Sequence, residues 1–170
     1  MGGLIQELIQ TTNDMPIKNY TTSIAEEKTV AEIQMLLAVK GAKTIQIEYD
    51  EKARPTAVSF IIVIQGIPIP FQLPCNFEGV YKAMVKEYAQ WQARNRFERN
   101  PESKNQARRI AWRIVKDWVA AQMALVEAEQ ATLAQVFLPY AMVNGNSRLT
   151  MYDRFLEQVS SQKALPESVA

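Results

Sequence analysis

Apolar and polar positions change their spacing several times along this chain, and each change marks an element. Over residues 43–50 they alternate, Ile45, Ile47 and Tyr49 against Gln46 and Glu48, as a half-buried strand requires. The run TAVSFIIVIQ at 56–65 is apolar on both faces, which places Phe60 and Ile62 in a central strand. Gly66 permits a tight hairpin, after which Ile67, Ile69, Phe71 and Leu73 alternate with Pro68, Pro70 and Gln72. Proline brings no N–H to a ladder, so this third strand belongs at an edge and blocks intermolecular pairing there. The DEKARP run between the first two of these strands reads as a turn.

Elsewhere the spacing lengthens to the helical three or four. Thr29 and Glu32 have capping-box spacing, Val30, Ile33, Leu36 and Leu37 supply an apolar face, and Gly41 is placed to end that helix. Ser23 with Glu26 offers a competing start one to two turns earlier. Ahead of it, the β-branched and aromatic run IKNYTTSI at 17–24 predicts a strand. Phe77, Tyr81, Met84, Tyr88 and Trp91 mark one face of a helix over about 76–97, broken at Asn100-Pro101. The longest helix follows over 106–129, where Ile110, Ile114, Trp118, Ala121 and Leu125 form one apolar track and Trp112, Val115, Val119 and Val126 another; so broad a surface predicts cover on more than one side. A short helix over 133–143, interrupted by Pro139, and a last one carrying Leu149, Tyr152, Phe155 and Leu156 after the turn Asn144-Gly145-Asn146 complete the chain.

The expected fold is α+β, a small antiparallel sheet in the order β-α-β-β-β with three to four C-terminal helices packed on one face. Residues 1–16 read as an N-terminal extension, 17–160 as a single domain and 161–170 as a flexible tail. With 170 residues, 48% hydrophobic and 22% charged, the chain is long enough for a sizeable core. Its longest apolar run, 60–64, is far short of the ~20 residues that span a membrane. No signal-peptide or myristoylation pattern opens the chain, so a cytoplasmic protein is expected.

Four stretches carry a resemblance: KNYTT with EKTVAEI at 18–33, IPIPFQLP at 67–74, ARRIAWRIVKDWVAAQ at 107–122 and VFLPY at 136–140. Together they resemble a family of small proteins from bacteriophages and bacterial genomes. The resemblance covers most of the chain and implies a phage-type context, but brings no activity with it. The order helix, three strands, helix is also similar to that of double-stranded-RNA-binding domains. The lysine-rich start of their second helix and their His-bearing loop are absent, since the corresponding helix opens Asn76-Phe77-Glu78-Gly79.

Chemistry is narrowed by what is missing. The chain has no histidine, which excludes Ser-His-Asp and Cys-His arrangements and His-bearing zinc sites. Cys75 is the single cysteine, so no intramolecular disulfide forms, and Leu-Pro-Cys-Asn-Phe offers nothing in sequence to lower its pKa; it reads as a small hydrophobe at a strand end. Glu48, Asp50 and Lys52 alternate at the end of a strand, two carboxylates and a lysine of the kind that holds a metal and an attacking water in nucleases. Their spacing departs from the usual nuclease pattern, and the same run is good turn chemistry. The six glycines form no phosphate loop. No catalytic residue, metal site or cofactor is expected.

Charge gives the one positive clue. Residues 93–116 hold Arg94, Arg96, Arg99, Lys104, Arg108, Arg109, Arg113 and Lys116 against Glu98 and Glu102, a net of +6, whereas the whole chain is only +1. Arg109, Arg113 and Lys116 recur at helical spacing, and the start of their helix near Ser103 would favour an anion. Such an excess points to a polyanion. The expected function is a non-enzymatic nucleic-acid-binding accessory protein of phage or mobile-element type, its eight basic residues contacting phosphates of DNA or RNA. The alternative is a protein-interaction module that docks the same basic face on an acidic protein. The periodicity of Trp91, Trp112 and Trp118 assigns them to packing rather than to stacking on bases.

Overall fold

Three antiparallel strands, β1 (Thr44–Tyr49), β2 (Pro55–Ile64) and β3 (Ile67–Pro74), form one sheet in the order β1-β2-β3. Among the described residues five helices accompany it: α1 (Glu26–Val39), α2 (Phe77–Arg94), α3 (Lys104–Glu127), α4 (Leu133–Phe137), followed by a 3-10 turn at Leu138–Tyr140, and α5 (Met151–Lys163). This computed structural model describes residues 17–94, 103–143 and 149–163. The α+β class and the small sheet agree with the hydrophobic pattern. Where that pattern suggests one domain, the chain divides into two compact units: Met1–Ala25 with Asn76–Ile114, and Glu26–Cys75 with Val115–Ala170.

The described part of the first unit is built on α2 and the first half of α3. Met84 of α2 meets Ala107 and Ile110 of α3, and Ile17, Tyr20, Val80, Tyr81 and Ile114 pack around them. The strand expected at 17–24 does not form. Asn19 takes a left-handed φ of 67°, and two turns close from Tyr20 N–H to the Ile17 carbonyl (3.1 Å) and from Thr22 N–H to the Asn19 carbonyl (2.9 Å). Side chains capture the backbone groups a sheet would have used. The Ile17 N–H donates to Glu87 Oε1 (2.8 Å), and Gln106 Nε2 donates to the carbonyls of Tyr20 (3.0 Å) and Thr22 (2.8 Å). Strand propensity is a weak preference that such contacts override. Both helices start on a side-chain cap: Asn76 Oδ1 accepts from Gly79 N–H (2.9 Å), and Ser103 Oγ accepts from Gln106 N–H (3.1 Å).

The second unit holds the sheet. Ile45, Phe60 and Phe71 lie opposite one another across the three strands, so they share a face, and Phe60 and Phe71 are buried. Their rings stack at 5.4 Å. Phe137 meets Phe60 edge-on at 5.3 Å, and Trp118 meets Phe137 at 5.5 Å. Helix α1 lies against β2 and buries Val30, Ile33 and Leu37. On the opposite face Gln46, Ser59 and Gln72 form a polar row across the strands. Phe60 and Ile62 thus sit in the central strand. Tyr49 leaves the expected alternation because the register shifts between Glu48 and Tyr49.

Strand β3 is an edge, and the chain returns to cover it. The Pro70 carbonyl accepts from Met142 N–H (2.8 Å), and Ala141 bridges Phe71. A strand residue aims its N–H and carbonyl to the same side, so the donor that Pro70 lacks is on that outer side. This pairing also corrects the helix expected over 133–143: helical geometry ends at Tyr140, and Ala141 is extended (φ −67°, ψ 132°) to reach the strand.

Helix ends follow local chemistry. After α1, Gly41 (φ +102°) lets its N–H reach the Ala38 carbonyl and the Ala42 N–H reach that of Leu37, a Schellman closure. The helix begins at Glu26, near the Ser23/Glu26 alternative, and Thr29 is buried within it. The same closure ends α3, but with Glu129 in the left-handed position (φ 55°). Thr150 and Asp153 cap α5, which continues to Lys163, past the expected tail boundary at 161. The expected extension 1–16, the break at Asn100-Pro101, the turn Asn144-Gly145-Asn146 and residues 164–170 lie outside the described residues.

Candidate functional site

The eight basic residues singled out by sequence meet different fates. Arg108 is 2% exposed, with its guanidinium carbon 4.4 Å from the centre of the Phe77 ring. It is a packing residue of the first unit and offers no surface to a phosphate, which corrects its place in the expected site. Helical spacing explains this: Arg108 follows Ala107 on the inward side of α3, whereas Arg109 is one step further round. Arg109 and Arg113 are half-buried, and Arg113 is engaged with a neighbouring group. Lys116 is half-buried, 3.5 Å from Asp117, and belongs to the second unit. Lys104 is exposed, 3.5 Å from Glu78 and 5.5 Å from the Tyr81 ring centre. An ion pair this open to water contributes little and leaves the ammonium available. The Arg94 side chain, Arg96 and Arg99 lie outside the described residues.

A second cationic row is not among those eight. Lys82 and Lys86 project from α2 at a spacing of four, turned away from Val80 and Met84, which pack into the core. Both are exposed, and neither has an acidic partner among the described residues. Their i,i+4 spacing is the signal in sequence, overshadowed by the aromatic face of the same helix. Charge separates along the unit boundary. The first unit has ten basic and six acidic residues, net +4, and the second nine and twelve, net −3.

Aromatic rings are distributed in the reverse sense. In the cationic unit, Phe77 lies under Arg108, Tyr81 lies beside Lys104, Trp112 is fully buried, and Tyr20 and Tyr88 are half-buried. In the acidic unit Trp118 is held between Phe137 and Tyr140, while Tyr49, Tyr152 and Phe155 are exposed. The Trp91 side chain lies outside the described residues.

The carboxylates considered for a metal have other partners. Asp50 Oδ1 accepts from the N–H groups of Lys52 and Arg54, both at 2.9 Å, and Oδ2 is 3.2 Å from Arg54 Nε. Glu48 accepts from Gln72 Nε2 across the sheet. The DEKARP run is therefore a turn organised by Asp50. Among the described residues no three Cys, Asp or Glu side chains come together. Cys75 is half-buried at the end of β3, its N–H donating to the Thr56 carbonyl (3.1 Å).

Among the described residues of the second unit, two apolar surfaces are open. Helix α5 exposes Met151, Tyr152, Phe155 and Leu156, preceded by exposed Leu149. Met35, Leu36, Val39 and Ala120 line an open groove of about 400 Å3 flanked by Glu32, Lys40 and Lys116. At the start of α5 the Thr150 N–H, and then its hydroxyl (2.7 Å), hydrogen-bond the Asp153 carboxylate and hold its pKa below the ordinary value. No helix among the described residues is long and apolar enough to cross a membrane. Comparison with family models, with curated proteins and with solved structures finds no match for this chain.

Proposed function

We propose that this protein is a non-enzymatic nucleic-acid-binding accessory protein whose phosphate-contacting surface belongs to the helical first unit. The observation that carries this reading is the separation of charge along the unit boundary, +4 against −3, with Lys82 and Lys86 exposed and without acidic partners among the described residues. A local excess of cations attracts a polyanion even when the net charge of the whole chain is close to zero. The contact residues are Lys82, Lys86 and Lys104, with Arg109 in support. Contacts of this type position a protein on a phosphate backbone and carry no sequence information directly.

A titration of the full chain against a labelled oligonucleotide at several salt concentrations tests the reading. Affinity should fall with salt at roughly 0.7 to 0.9 log units per log unit of salt for each phosphate neutralised. Lys82→Glu with Lys86→Glu should abolish binding while leaving the melting temperature nearly unchanged. Absence of binding at low salt would refute it.

A second reading is favoured by the open apolar face of α5: a protein-interaction module. Exposed apolar patches of this kind mark contact surfaces. Under that reading Phe155→Asp abolishes the biological activity and the lysine reversals do not.

A further inference from the structure

We infer that the first unit selects double-helical nucleic acid over single strands, reading its phosphates without regard to base sequence. This rests on the nucleic-acid reading above and goes beyond it in naming the form of the ligand. Sequence-independent binding of single strands depends on aromatic faces, because unpaired bases stack on them for ~1 to 3 kcal/mol each. Among the described residues of the cationic unit no ring is exposed, and Tyr20 and Tyr88 are half-buried. The Arg108 guanidinium covers Phe77 at 4.4 Å, Lys104 stands 5.5 Å from the Tyr81 centre, and Trp112 is fully buried. The exposed rings Tyr49, Tyr152 and Phe155 belong to the other unit, whose net charge is −3. Cations without stacking platforms gain from charge density alone, and a duplex carries one charge per ~1.7 Å of its axis.

The size of the preference follows from counterion release. The log-log slope is steeper for a duplex by ~0.2 per phosphate, which for about four phosphates at about 50 mM salt amounts to roughly tenfold in affinity. Lysines that contact only phosphates give the same affinity for duplexes of unrelated sequence.

The test is a fluorescence-anisotropy titration of the full chain, at about 50 mM salt, against a 20-mer single strand, its DNA duplex, the RNA duplex of the same sequence and a DNA duplex of scrambled sequence. The expected result is roughly tenfold tighter binding to both DNA duplexes than to the single strand. The two DNA duplexes should agree within about twofold, and Lys82→Glu with Lys86→Glu should remove binding to both. The RNA duplex should also exceed the single strand, and its ratio to the DNA duplex reports which helix form fits better. Tighter binding to the single strand, or discrimination between the DNA duplexes, would overturn this inference and leave the nucleic-acid reading intact. Binding to none of the oligonucleotides would overturn both. An acidic protein such as a poly-glutamate carrier competing as well as the duplex at equal charge would reassign the surface to general polyanion binding and also defeat the inference.

Discussion

The two units deal with their charged and aromatic side chains in opposite ways. In the helical unit Arg108 lies against Phe77 and Lys104 beside Tyr81, and the exposed Lys82 and Lys86 stand on the outer side of α2. In the sheet unit aromatics pack on aromatics, Phe60, Phe71, Phe137 and Trp118 in one cluster, while α5 presents rings to solvent. A basic residue in sequence is therefore not yet a basic residue on a surface. Arg108 and Arg109 are neighbours on one helix, and only the first is a structural part of the core.

The contrast can be broken most forcefully in the sheet unit. Phe60→Ala should cost about 3 to 5 kcal/mol in urea unfolding, since the ring is buried between Phe71 and Phe137. Val63→Ala, on the other face of the same strand and half exposed, should cost under about 1 kcal/mol. Equal losses at both positions would show that the two faces of β2 are not differentiated.

In the helical unit the sharper comparison is between adjacent arginines. Arg108→Ala should cost about 2 kcal/mol, through the buried cation–π contact with Phe77 and the packing of its stem. Arg109→Ala should stay within about 0.5 kcal/mol. Similar values for the two would mean that Arg108 is not anchored.

Much of this fold is legible in the order of residues alone. The period-two strands, the central TAVSFIIVIQ run and the Pro68/Pro70 edge follow from rules that act over a few residues, and so does the closure at Gly41. What is illegible depends on partners far away in sequence. Residues 17–24 lose their strand to Glu87 and Gln106, some 70 to 86 positions distant. Arg108 looks like its neighbours until Phe77 is placed beneath it. Nothing local to Lys82 and Lys86 distinguishes an exposed pair from one neutralised by carboxylates on another element. The apolar stripe of α5 is plain in its spacing, whereas its exposure is decided by what packs on it.

Smaller effects refine the account. Glu129→Gly should stabilise the sheet unit by about 1 kcal/mol, because glycine relieves the left-handed backbone that closes α3. No gain in the urea midpoint would show that Glu129 is not strained. Asp153 provides a pH handle. Its folded pKa lies below the ordinary 3.8, so its capping contribution is present above that value and is lost as pH falls through the depressed one. Helicity of the wild-type chain, followed by circular dichroism from about pH 5 to pH 2, should show a step that Asp153→Asn lacks. A persistent step in the variant would assign it to another carboxylate.

The most direct measurement of the central claim is amide chemical-shift mapping of the full chain on addition of a short DNA duplex at low salt. Shifts concentrated on α2 around Lys82 and Lys86 and at the start of α3 around Lys104, weakening as salt is raised, are the predicted result. Shifts centred on α5 or on the sheet, or none at saturating duplex, would contradict the assignment of nucleic-acid binding to the helical unit.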